Sequence, residues 1–152
     1  NAMINERKHV FTYGSLMFPV VWQGVVRGHY RAVAGTVNGF RRLCVLAEEH
    51  PALVITRGAP ALAGVVYFDV EPADLARLDY FEGREYARVS LSVALAAETA
   101  DGAASPRVIS AEAYLALNVD DLVHRDWDVT AFERDGLPRF LNRYAVDNAP
   151  KN

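Results

Sequence analysis

One cysteine in 152 residues rules out an internal disulfide. Cys44 sits in the apolar run Leu43-Cys44-Val45-Leu46, where a buried structural thiol is the expectation. A catalytic thiol needs a histidine or a cation to ionise it. Arg41 and Arg42 are adjacent, but the strand pattern of this segment points them elsewhere. Long apolar runs are also missing. Nothing approaches the ~18 residues of a membrane span, and Glu6-Arg7-Lys8 leads into an apolar stretch too short for a signal peptide. A cytoplasmic protein without a membrane partner is expected. The positive charges form no block and no stripe interleaved with aromatics, so a nucleic-acid partner is not expected either. His9, His29, His50 and His124 lack metal-type spacing, which argues against a metal site.

Half of the residues are hydrophobic and the net charge is −3, the profile of an ordinary globular chain whose partner is a small molecule or a second copy of itself. Asn1-Ala2 reads as a remnant of expression ahead of Met3, with one domain over 3–147 and a tail over 148–152. Lys8 to Tyr13 reads as a first strand ending at Gly14-Ser15. Leu16 to Val26 is apolar around Pro19 and fits a short helix or an irregular segment. Arg31–Asn38 and Phe40–Leu46 alternate, and Asn38-Gly39 between them is a strong hairpin signal. Leu53–Thr56 and Leu62–Val70 follow as strands. Glu71-Pro72-Ala73-Asp74 opens a helix that buries Leu75, Leu78 and Phe81 and stops at Gly83. Tyr86–Leu95 is the cleanest alternation in the chain. Thr99–Pro106 reads as a loop, Arg107–Leu117 as a strand, and Val129–Tyr144 as a helix packing Phe132, Leu137, Phe140, Leu141 and Tyr144, broken or restarted at Pro138. About seven strands with two or three helices and no βαβ rhythm define an α+β fold, and the strand spacing suggests a small closed or nearly closed barrel.

Two segments carry candidate chemistry. Tyr13-Gly14-Ser15-Leu16 ends a strand in a tight turn, which can leave several backbone N–H groups pointing one way as a receptor for an oxyanion or carboxylate; such a turn is also common without function. Leu78-Asp79-Tyr80-Phe81-Glu82-Gly83-Arg84-Glu85-Tyr86-Ala87-Arg88 places Asp79 and Glu82 on one face of a closing helical turn. The negative end of the helix dipole, with Asp79 and Glu85 nearby, raises the proton affinity of Glu82 toward the range a proton-transfer group needs. The same residues fit a solvated helix end paired with Arg84 and Arg88, and charge alone favours that reading. Tyr86 and Tyr114 suit either a pocket lining or a core. Ser15 has no nucleophile-elbow context, and Trp22 and Trp127 suit core or interface anchors.

Taken together in this order, Tyr-Gly-Ser-Leu after strand one and Leu-Asp-x-x-Glu-Gly-x-x-Tyr-x-Arg about sixty-five residues on resemble the γ-glutamylcyclotransferase family, including its AIG2-like and γ-glutamylamine branches. The likeness extends over most of Val10 to Leu117. It departs at Met17-Phe18-Pro19, apolar where many members carry basic or small polar residues. The resemblance implies a small mixed β-barrel flanked by helices, with a cavity at one end. It implies that Tyr13, Gly14, Ser15 and Leu16, with Tyr86, hold a γ-glutamyl substrate, and that Glu82 is the catalytic acid/base. The implied reaction closes the substrate's α-amine onto its γ-carbonyl, giving 5-oxoproline and a free amine, with no metal and no other cofactor. Two other readings stand beside it: a binding module for a small acidic metabolite in the same pocket, and an interaction protein dimerising through Val20–Val26 or the C-terminal apolar segment. A homodimer is compatible with each.

Overall fold

The computed structural model describes residues 6–96, 107–118 and 120–147. The expected loop over Thr99–Pro106, the remnant at the start, the tail at 148–152 and the packing of Tyr144 lie outside the described residues and side chains. Among the described residues, eight strands and four α-helices follow in chain order: β1 (Lys8–Thr12), α1 (Pro19–Val25), β2 (Ala32–Val37), β3 (Phe40–Val45), β4 (Pro51–Ile55), β5 (Leu62–Val70), α2 (Pro72–Glu82), β6 (Tyr86–Leu95), β7 (Arg107–Ala116), β8 (Leu122–Asp126), α3 (Val129–Ala131) and α4 (Leu137–Asp147).

Five strands close a barrel in the order β1-β5-β2-β6-β7. Every ladder is antiparallel except the closing seam, where β1 runs parallel to β7 with Val10 opposite Glu112. The barrel is therefore mixed, as expected. Alternation along β1 sorts the core into two parts. Phe11 points inward with Val33, Val37, Val66, Val93 and Ala113. Val10 points outward, under α1 and α2, with Val21, Trp22, Val70, Leu75 and Leu78. Trp22 stacks on Tyr67 with ring centroids 3.7 Å apart, so it is a core anchor.

The remaining strands form a second sheet, β4-β3-β8. Here the hairpin expectation at Asn38-Gly39 fails. Gly39 does take a positive φ of 84°, but the chain uses this turn to cross from the barrel to the second sheet. Both edges of β2 are occupied, by β5 and β6, so β3 has no edge there to pair with and joins β4 and β8 instead. A turn signal fixes a bend; it does not fix which strands then meet. The β8 strand was not expected, and Cys44 in β3 is half-buried rather than buried, its Sγ 3.8 Å from the Asp126 carbonyl.

Two helices behave as their ends dictate. α2 begins with Pro72 and stops at Gly83, whose φ of 80° only glycine adopts without strain. At the C-terminal end, the Asp128 side chain accepts from the Thr130 and Ala131 N–H groups and starts α3. A wide π turn over Phe132–Gly136 then precedes α4. Pro138 has no N–H to give to a regular helix, and the break falls just ahead of it. Among the described residues no helix is long and apolar enough to cross a membrane.

Candidate active site

A cavity of about 250 Å³ opens at the end of the barrel where β1 finishes. Tyr13, Gly14, Ser15, Leu16, Glu82 and Tyr86 all line it. Two segments some sixty-five residues apart in sequence thus share one chamber. A wider, shallower groove lined by Arg7, His9, Arg31 and Arg107 lies at the other end of the barrel and contains none of these residues.

The turn after β1 is held by its carbonyls. The Tyr13 carbonyl accepts from Arg42 at 3.1 Å, that of Gly14 from the Met17 N–H at 2.9 Å, and that of Ser15 from the Phe18 N–H at 3.1 Å. The Leu16 carbonyl accepts from the Tyr67 hydroxyl at 3.3 Å. None of the hydrogen bonds among the described residues uses the N–H groups of Gly14, Ser15 or Leu16. Successive unpaired N–H groups at a cavity wall make an anion receptor. Gly14 is required by space as well, since a Cβ there would stand 2.7 Å from Pro51 Cδ.

Glu82 is the last residue of α2; it is half-buried and lines the cavity. Burial, and then the charge of Asp79, push its carboxyl up to about 8. Desolvation penalises the ionised form, and the described side-chain hydrogen bonds bring it no donor that would offset this. Asp79, three residues earlier, is turned away to the barrel wall. It accepts from Arg88 Nε at 2.9 Å and from the Tyr114 hydroxyl at 2.7 Å. Arg88 also bonds Glu112 at 3.1 Å, and Ser90 donates to the same carboxylate. So the pairing expected of a solvated helix end is realised for Asp79, while Glu82 is left facing the cavity.

Three phenols surround the carboxyl. Tyr13 donates to the Tyr114 carbonyl at 2.7 Å, and Tyr86 reaches the Pro51 carbonyl at 3.4 Å. Burial first, then the Glu82 charge for Tyr13 and Tyr86 and the hydrogen bond to Asp79 for Tyr114, push these hydroxyls up, so they remain protonated donors at neutral pH. Both Tyr86 and Tyr114 are lining residues, but Tyr114 bonds Asp79 rather than Glu82.

The outer wall was not anticipated. Glu48, Glu49 and His50 reach the cavity from the segment between β3 and β4, Pro51 from the start of β4, and Phe140 and Arg143 from α4. Arg143 pairs with Glu48 at 3.1 Å and Arg139 with Glu49 at 2.8 Å, tying α4 to that segment across the mouth. The Trp127 indole N–H adds a bond to the Glu49 carbonyl at 2.8 Å. Burial pushes His50 down, so the imidazole is neutral at pH 7. Only the placement of the second sheet brings Glu48-Glu49-His50-Pro51 to the site. Among the described residues no group of His, Cys, Asp and Glu converges as a metal ion would need.

A small closed barrel flanked by helices is the α+β fold of the AIG2-like and γ-glutamyl cyclotransferase-like proteins. The chain belongs to the family described as gamma-glutamyl cyclotransferase, AIG2-like, whose model matches residues 10–129. Among curated relatives it is 27% identical to Protein AIG2 C of Arabidopsis thaliana over 140 residues, covering 91% of this chain and 80% of that one. An Arabidopsis thaliana protein solved in solution has the same fold, with a TM-score of 0.66 at 23% identity over 97% of this chain and 95% of its own. So does a glutathione-specific gamma glutamyl cyclotransferase from yeast, with a TM-score of 0.58 at 17% identity over 79% of this chain and 73% of that one.

Proposed function

We propose that this protein is a γ-glutamylcyclotransferase that converts a γ-glutamyl amide or amine to 5-oxoproline and a free amine, with Glu82 as its acid/base. The observation that carries the reading is the juxtaposition of Glu82 with the Tyr13–Leu16 turn in one cavity. In this reading the free N–H groups of the turn, with Tyr86, hold the γ-glutamyl group. Its α-ammonium lies beside Glu82, where a cation offsets the desolvation of the carboxylate and lets it accept a proton. The amine so freed attacks the γ-carbonyl, forming the ring C–N bond. A second proton leaves the ring nitrogen and reaches the departing nitrogen, and the γ-carbonyl to amine bond breaks. The amine leaves and takes the remaining proton, and Glu82 returns to its starting state. Reaction within one folded substrate asks little more of the protein than positioning, proton transfer and support of the oxyanion.

The test is to incubate the protein with a panel of γ-glutamyl amino acids and γ-glutamyl amines and measure 5-oxoproline by mass spectrometry. Glu82→Gln is expected to lower turnover by ~10²–10⁴-fold while remaining folded. Thermal stabilisation by these compounds without product would favour the binding module instead.

A further inference from the structure

The second sheet contributes a side chain that touches the turn without entering the cavity. Arg42, on β3, is half-buried and its Nη1 donates to two carbonyls, Tyr13 at 3.1 Å and Ala63 at 3.0 Å. Its guanidinium lies 5.7 Å from the centre of the Trp127 ring. The two carbonyls belong to the residue that follows β1 and to β5, the strand paired with β1, so Arg42 fastens the barrel rim to the second sheet. Burial opposes its charge, and Asp126 and Asp128 favour it.

The consequence follows from peptide geometry. A trans peptide holds its C=O and the following N–H in one plane, pointing in opposite directions, and the structure has no cis bonds among the described residues. The Tyr13 carbonyl points toward Arg42, which is not a cavity residue, so the Gly14 N–H of the same plane points the other way, toward the cavity that Gly14 lines. We infer that Arg42 is a positioning residue: by holding the Tyr13 carbonyl it aims the Gly14 N–H at the bound γ-glutamyl group. This rests on the function proposed above for what occupies the cavity, but the orientation itself does not. Both bonds leave the same nitrogen of Arg42, so the ammonium of a lysine, with three donors, can take over the Tyr13 carbonyl.

The test uses Arg42→Met and Arg42→Lys in the full chain, with two readouts. Residual dipolar couplings of the Gly14 N–H in ligand-free protein report the tilt of the Tyr13–Gly14 plane. Arg42→Met is expected to change that coupling while those of β6 and β7 stay fixed, and Arg42→Lys to preserve it. In the assay, Arg42→Met is expected to raise KM by about ten- to a hundredfold with kcat nearly unchanged, because the N–H holds substrate before and during reaction. Weaker binding of 5-oxoproline should run in parallel. Should Arg42→Met not fold, Arg42→Gln, polar but too short for the clamp, carries the same expectations. An unchanged Gly14 coupling in a folded Met or Gln variant overturns the inference, whether or not the wild type turns over. A changed coupling in a protein with no turnover and no affinity for γ-glutamyl compounds retains the positioning role and removes only the proposed function.

Discussion

Replacing Glu82 with glutamine should stabilise the fold by an amount that grows with pH. The carboxyl titrates at about 8 in the folded chain, against an ordinary value of 4.5, because burial and then the Asp79 charge disfavour its ionised form. Between those values the folded state holds a proton that the unfolded chain has released, so stability falls as pH rises. The contribution is intact below about 4.5 and fully lost once pH passes about 8. At about 1.36 kcal/mol per pH unit, the gap between the two titrations lowers stability by about 2 kcal/mol at pH ~6 and about 5 at pH ~9. A glutamine does not titrate, so the variant's advantage over the parent should widen by about 2–3 kcal/mol from pH ~6 to ~9, or about 5–10 °C in Tm for a chain of this size. Any pH-independent packing change made by the amide cancels in that comparison. Urea denaturation of both proteins at several pH values measures it. A difference that stays flat with pH, or widens toward acid, would refute the claim that Glu82 is a desolvated carboxyl.

Asp74 provides the opposite case. It is 2% exposed and accepts from the Arg27 and Gly28 N–H groups, the Tyr30 hydroxyl and Arg77, and these bonds hold its carboxyl down at about 2 against the desolvation that burial imposes. Asp74→Asn should cost about 2–3 kcal/mol at neutral pH by urea denaturation, and the gap should close as pH falls from about 4 toward 2, where the wild-type carboxylate is itself neutralised. Gly14→Ala should lower kcat/KM more than tenfold and stability by about 1–3 kcal/mol, since the new Cβ has to displace the Pro51 ring. Retained activity with unchanged melting would show that the turn has slack that the structure does not give it.

The parts of the fold that were legible in the sequence are those whose signals are local. β5 and β6 run over Leu62–Val70 and Tyr86–Leu95 as their patterns required, and α2 starts at its proline and stops at its glycine. The strand β8 escaped notice because Leu122-Val123-His124-Arg125-Asp126 lies on an edge, half-exposed, with no alternation to declare it. Its partner β3 supplies the pairing, and that is a long-range fact. The site divides the same way. Glu82 and Tyr13–Leu16 sit in compact motifs, each readable where it stands. His50, Phe140 and Arg143 become cavity walls only because β4-β3-β8 and α4 are stacked against the barrel end, and nothing in their own neighbourhoods announces it.

The parallel seam between β1 and β7 joins the start of the chain to a strand about a hundred residues later. While a ribosome is still making the middle of the protein, β1 has one bare edge, and the Tyr13 hydroxyl lacks the Tyr114 carbonyl that receives it at 2.7 Å. Contacts this distant in sequence form late, because the intervening loop must close first. The receptor turn is translated well before β7, yet it acquires its final surroundings only when that strand arrives. A nascent chain stalled before Arg107 would carry both recognisable motifs and still have no chamber to put them in.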